Sequence, residues 1–131
     1  KQILVTPKNK LKECGLSTNK LATIIEIANQ VENEGLENRK GFEIMSDIQI
    51  IQKLTKIKGI GEWTAQMLMI FNLGKLDIFP VGDFALKKNY SLFKNIASPI
   101  NMKDLSKISE EWKPFRSIAA WYLWKYKLKS C

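Results

Sequence analysis

Lys58-Gly59-Ile60-Gly61 lies between two helical patterns and restricts what this chain can build more than any other feature. Upstream, Ser46 with Gln49 three residues later reads as a capping box opening a helix to about Lys56. Downstream, a helix is predicted from Glu62 to about Phe71. Two glycines in four residues allow positive φ and leave the backbone uncovered. Successive N–H groups at the start of the second helix then form an anion site suited to a DNA phosphate. Such a site would hold backbone without reading sequence. A plain helix–helix turn is the competing reading of the same residues.

The rest of the chain has the same helical pattern. Pro7 to Glu13 reads as a short helix closed by Gly15. Ser17 caps a longer one, striped by Leu21, Ile24, Ile25, Ala28 and Val31 and ending near Gly35. Leu76 to Pro80 is a short loop, and Gly82-Asp83 opens a helix to about Lys94. Asn101 caps the next helix. Pro114 sits where a first-turn proline belongs for a last helix through Lys127. No alternating strand is evident. The predicted class is all-α, a helical bundle in one domain over residues 1–131, with the hairpin at about 47–71.

Composition narrows the chemistry. The 131 residues hold no histidine, which excludes Ser-His-Asp and Cys-His catalysis and His-ligated zinc. Cys14 and Cys131 are too far apart in sequence for a clustered metal site. The net charge of +8 favours a polyanion. Between Asp83 and Asp104 there is no acid but four lysines, Lys87, Lys88, Lys94 and Lys103. After Glu111 there is no acid at all. The longest apolar run, Ile118–Trp124, is far shorter than the ~20 residues that cross a bilayer. No membrane association is expected, and no signal-peptide pattern opens the chain.

Asp83 has two readings on local sequence, a helix N-cap or a catalytic carboxylate. They are compatible, because negative charge is favoured at a helix N-terminus.

The stretch LTKIKGIGEWTAQMLMIF, followed by DIFPVGDFALKK, resembles the helix-hairpin-helix base-excision DNA glycosylases. EWKPFRSIAAWYLWK and LKECGLSTNKLATIIEIA resemble the DNA-3-methyladenine glycosylase II branch, so the likeness covers nearly the whole chain. It implies a DNA repair enzyme that hydrolyses the N-glycosidic bond of alkylated purines, with Asp83 as the catalytic carboxylate. Trp63 stands where lyase-competent members carry a lysine, so base release without strand cutting is implied. The likeness also sets Trp63, Met67 and Trp124 around the flipped-out base, where an aromatic wall suits a cationic purine. Gly59, Gly61, Lys58 and Thr64 would hold the DNA backbone. The carbonyls of Thr55, Ile57 and Ile60 would hold a sodium or potassium ion, with no other cofactor required.

The implied partner is double-stranded DNA carrying alkylated bases, bound by a monomer in a DNA-containing compartment, nucleoid or nucleus. Trp112, Pro114, Phe115 and Arg116 read as packing and helix entry. Members of the family carry further N-terminal residues, including a side chain that wedges into the DNA stack. A chain starting at Lys1 is therefore expected to be weak or inactive on duplex DNA. The alternatives are a non-catalytic hairpin module for DNA binding and a glycosylase for another lesion. Met67, standing where the best-known members have tyrosine, leaves the lesion open.

Overall fold

The computed structural model describes residues 1–36 and 38–126. Among these every regular element is helical, as the periodicity predicts. They divide into two compact units, Lys1–Ala65 and Gln66–Cys131, with the boundary inside one helix.

The first unit holds α1 (Gln2–Val5), α2 (Lys8–Glu13), α3 (Thr18–Asn29), α4 (Arg39–Glu43), α5 (Asp47–Thr55) and the start of α6 (Glu62–Phe71). Their starts are set locally. The Ser17 side chain accepts from Lys20 N–H, and Asn38 accepts from Gly41 N–H. The capping box opening α5 is complete: Ser46 Oγ accepts from Gln49 N–H at 3.3 Å and Gln49 Oε1 from Ser46 N–H at 2.9 Å. Helix α3 packs against α1 and α2, and Leu21, Phe42, Ile50, Leu54 and Ile57 are buried. Each such side chain contributes roughly 1.5–3 kcal/mol by leaving water.

Three expectations need correction. The short helices α1 and α4 were not evident, because neither has enough turns to show a stripe. Helix α3 gives way at Gln30–Glu34 to a π-helical turn, closed by a bond from Gly35 N–H to the Gln30 carbonyl with Gly35 at φ +68°. Val31, the last residue of the predicted stripe, stays beside Ile24 and Ala28 but is exposed. The last helix starts at Arg116, so Pro114 lies before it rather than in its first turn. The reason is local: the Phe115 carbonyl accepts from Ala119 N–H, which makes Phe115 the residue that opens the helix. The predicted end at Lys127 lies outside the described residues.

The second unit holds the rest of α6, then α7 (Phe84–Phe93), α8 (Met102–Ser109), a 3₁₀ turn (Glu110–Trp112) and α9 (Arg116–Tyr126). Asn101 caps α8 through Asp104 N–H at 2.9 Å. Helix α7 packs on α9 around Phe79, Leu86, Tyr90, Leu105, Ala120 and Leu123. Trp112 lies edge-on to Phe79, with ring centroids 5.3 Å apart, and tilts against Tyr90 at 5.9 Å. Its predicted packing role holds. No helix among the described residues is long and apolar enough to cross a membrane.

Candidate functional site

In the first unit the hairpin turn is anchored by buried Ile57, whose N–H donates to the Leu54 carbonyl at 3.1 Å. The Ile57 carbonyl in turn accepts from Ile60 N–H at 3.0 Å. Gly59 has φ +92°, and a Cβ there would lie 1.9 Å from Thr23 Oγ1. Conformation and crowding both demand glycine at this position.

Gly61 is different. Its φ is not in the left-handed region, and a Cβ there would meet nothing within 4 Å. Its carbonyl accepts from Ala65 N–H, so it opens α6. Nothing among the described residues requires a glycine here. Lys58 and Thr64 are exposed on either side of it.

The carbonyls of Thr55, Ile57 and Ile60 supply uncharged hard oxygens. The Thr55 carbonyl ends a helix, where carbonyls lack intrahelical partners, and Ile57 keeps a second lone pair beside its turn bond. This donor set fits a monovalent cation.

Along α6 the buried side chains are Ala65 and Met69. Trp63 is half exposed, and Met67 and Ile70 are half-buried, so that stripe is not the packed face of the helix.

In the second unit Asp83 is buried and caps α7, its Oδ1 accepting from Leu86 N–H at 2.9 Å. Its own N–H donates to the Pro80 carbonyl at 2.8 Å, closing a turn over Val81 and Gly82. The loop that delivers this turn is pinned to the start of α9. Arg116 donates from Nε to Asp77 Oδ1 at 2.7 Å and from its guanidinium to Oδ2 at 3.0 Å. Ser117 Oγ accepts from Ile78 N–H at 2.9 Å and lies 2.7 Å from the Lys75 carbonyl. The hydrogen bond from Arg116, reinforced by its charge and opposed by partial burial, holds the Asp77 carboxyl below the usual carboxylate range. Arg116 thus serves helix entry, as expected, and locks a loop as well.

Trp124, on α9, is half-buried against the core and lies on Phe71 with centroids 5.7 Å apart and planes 30° from parallel. Asn89, in the second turn of α7, donates from Nδ2 to the Leu123 carbonyl at 2.8 Å. These two contacts hold the backbone and the ring of the Trp124 segment.

The structure therefore brings Asp83, Trp124 and Met67 into one unit and assigns the hairpin residues with Trp63 to the other. Phe71, Asp77, Asn89 and Ser117 were not anticipated. Asp77 and Arg116 are 39 residues apart, and no spacing rule links them.

No family model matches the chain. The alkylbase DNA glycosidase-like protein mag2 of Schizosaccharomyces pombe is 38% identical over 125 residues, 95% of this chain and 59% of that protein. DNA-3-methyladenine glycosylase 1 of the same yeast is 35% identical over 115 residues, 88% of this chain and 50% of that one. The solved S. pombe 3-methyladenine DNA glycosylase (Mag1), in complex with abasic DNA, superposes with a TM-score of 0.89. It has 33% identity to this chain, covering 95% of it and 60% of the yeast chain. The chain spans between half and three-fifths of the length of these relatives.

Proposed function

Because the chain belongs to the helix-hairpin-helix DNA glycosylase superfamily, we propose that it acts in base-excision repair, hydrolysing the N-glycosidic bond of alkylated purines in DNA. The observation that carries this reading is Asp83. It is a buried carboxylate held by Leu86 N–H at the mouth of a helix, in a chain without histidine.

Methylation at N3 or N7 makes a purine cationic and weakens its bond to the sugar. As the C1′–N9 bond breaks, its electron pair leaves with the base, which departs neutral. Positive charge grows on C1′ and the ring oxygen, and a fixed carboxylate stabilises it without reorganising. Water then bonds to C1′ and gives up a proton, for which Asp83 is the base. No strong acid is needed for such a leaving group.

Met67 and Trp124 would flank the base, Trp124 kept in place by Phe71 and by the Asn89 hold on the Leu123 carbonyl. Trp63 offers no amine for a Schiff base, so an uncut abasic site is the product. The openness around Gly61 supports its use for DNA backbone, with Lys58 and Thr64 alongside. The three hairpin carbonyls would hold sodium or potassium and tie the turn to a phosphate. Replacing potassium by tetramethylammonium at equal ionic strength then lowers DNA affinity. The monomer is the state proposed for binding duplex DNA, in a nucleoid or nucleus.

The test is release of free 3-methyladenine from methylated DNA by the chain and by Asp83→Asn. Asparagine keeps the cap, so fold and DNA affinity stay within about twofold while release falls by at least ~100-fold. Equal release by both sinks the catalytic role. The open backbone at Gly61 would serve a second reading equally well, a hairpin module that binds DNA without excision. Duplex binding with no release by either protein would establish that reading.

A further inference from the structure

Helix α9 is tied near both ends to the stretch of chain that flanks Asp83. At its start, Ser117 N–H donates to the Leu76 carbonyl at 2.9 Å, and Ser117 Oγ accepts from the N–H of Ile78, five residues before Asp83. Toward its other end, the Leu123 carbonyl accepts from Asn89 Nδ2 at 2.8 Å. Asn89 lies six residues after Asp83, on the helix that Asp83 caps. The Leu123 carbonyl shares one rigid peptide plane with the N–H of Trp124. Holding that plane therefore fixes where the Trp124 side chain leaves the backbone, and Phe71 limits how the ring lies.

Stability does not account for asparagine at this position. Asn89 is 2% exposed and inside a helix, where leucine is the better helix former. A carbonyl can only accept, so Nδ2 faces Leu123 and Oδ1 turns away. Oδ1 is buried there and has no hydrogen-bond partner among the described residues. One ordinary hydrogen bond is gained while one acceptor is stripped of water, and the second effect is at least as large as the first. Leucine has the same branched skeleton and no polar atom to strand, and α7 packs on α9 around apolar Leu86, Ala120 and Leu123. What asparagine supplies and leucine cannot is a directional tie between the two helices. The contact is interior and owes nothing to an exposed surface.

We propose that Asn89 is a positioning residue for base release, setting Trp124 relative to the Asp83 carboxylate. The proposal rests on the glycosylase reading of Asp83 and Trp124. A base stacked on Trp124 presents its C1′ to Asp83 only while ring and carboxylate keep their spacing, and a displacement of about 1 Å can cost about 100-fold in rate. In that reading the hairpin holds the DNA backbone, so affinity does not depend on the tie.

Asn89→Leu and Asn89→Ala test this beside the unaltered chain. Single-turnover release of 3-methyladenine from methylated duplex DNA is expected to fall by about tenfold or more in both, while Kd for the same duplex, from fluorescence anisotropy, stays within about twofold. The urea midpoint of Asn89→Leu should be no lower than that of the unaltered chain, whereas Asn89→Ala, which opens a cavity, is lowered. With fluorotryptophan incorporated, the fluorine resonance of Trp124, assigned by its loss in Trp124→Phe, should shift in both variants while that of Trp63 stays in place. Release by Asn89→Leu at the original rate, or an unmoved Trp124 resonance, overturns the proposal. So does release that falls in both variants only in step with the folded fraction, which makes Asn89 a packing residue. An unaltered chain that releases no base sinks the glycosylase reading and the proposal with it, and the Trp124 resonance then still reports whether the tie sets the ring.

Discussion

Gly59 and Gly61 stand two positions apart in one turn, yet they are glycines for different reasons. At Gly59 the backbone is left-handed and Thr23 occupies the space of a Cβ. Gly59→Ala should therefore lower stability by at least about 2 kcal/mol, read as a drop in the urea midpoint. At Gly61 the backbone is ordinary and the space is open. Gly61→Ala should change stability by less than about 1 kcal/mol while weakening duplex DNA binding several-fold, measured by fluorescence anisotropy. If both variants lose stability alike, Gly61 is structural and the phosphate role fails. The sequence motif shows both glycines and cannot separate them. Thr23 lies 36 positions before Gly59, and only the chain path brings it near.

At the scale of elements, the turn that carries Asp83 depends on a loop tied to a helix start. Ser117 satisfies the N–H of buried Ile78. Ser117→Ala leaves that donor without its partner and should cost about 1–3 kcal/mol, seen as a lower melting temperature. If the loop positions Asp83, base release should fall further than the unfolded fraction explains. The Asp77–Arg116 tie adds a pH signature. Its carboxyl is held low in the folded chain, so its contribution is complete above the unfolded value near 4. That contribution is lost as pH falls through the folded value. Asp77→Asn should flatten the decline in melting temperature below about pH 4, and an unchanged acid limb would contradict the assignment.

Across the whole molecule, a net charge of +8 sets how a polyanion would be held. A chain at +8 gripping phosphates should lose DNA affinity steeply with salt, the slope of log K against log salt rising by about 0.9 per phosphate contact. A slope near zero would remove the backbone-binding reading of the hairpin.

The sequence by itself determined the all-helical class, the capped starts at Ser17, Ser46, Asp83 and Asn101, and the hairpin turn. Each rests on interactions within about four residues, which local spacing displays. It also narrowed the chemistry, because a chain without histidine is left with carboxylates, lysines, hydroxyls and the backbone. Tertiary structure decided the rest: Arg116 on Asp77, Phe71 under Trp124, Asn89 on the Leu123 carbonyl, and Thr23 against Gly59. It decided α9 most clearly. Its sequence does not say which apolar side chains are covered: Ala120 and Leu123 are buried, whereas Trp121 and Tyr122 are exposed. Periodicity records which side chains avoid water, and only the packed chain shows which of them have found cover.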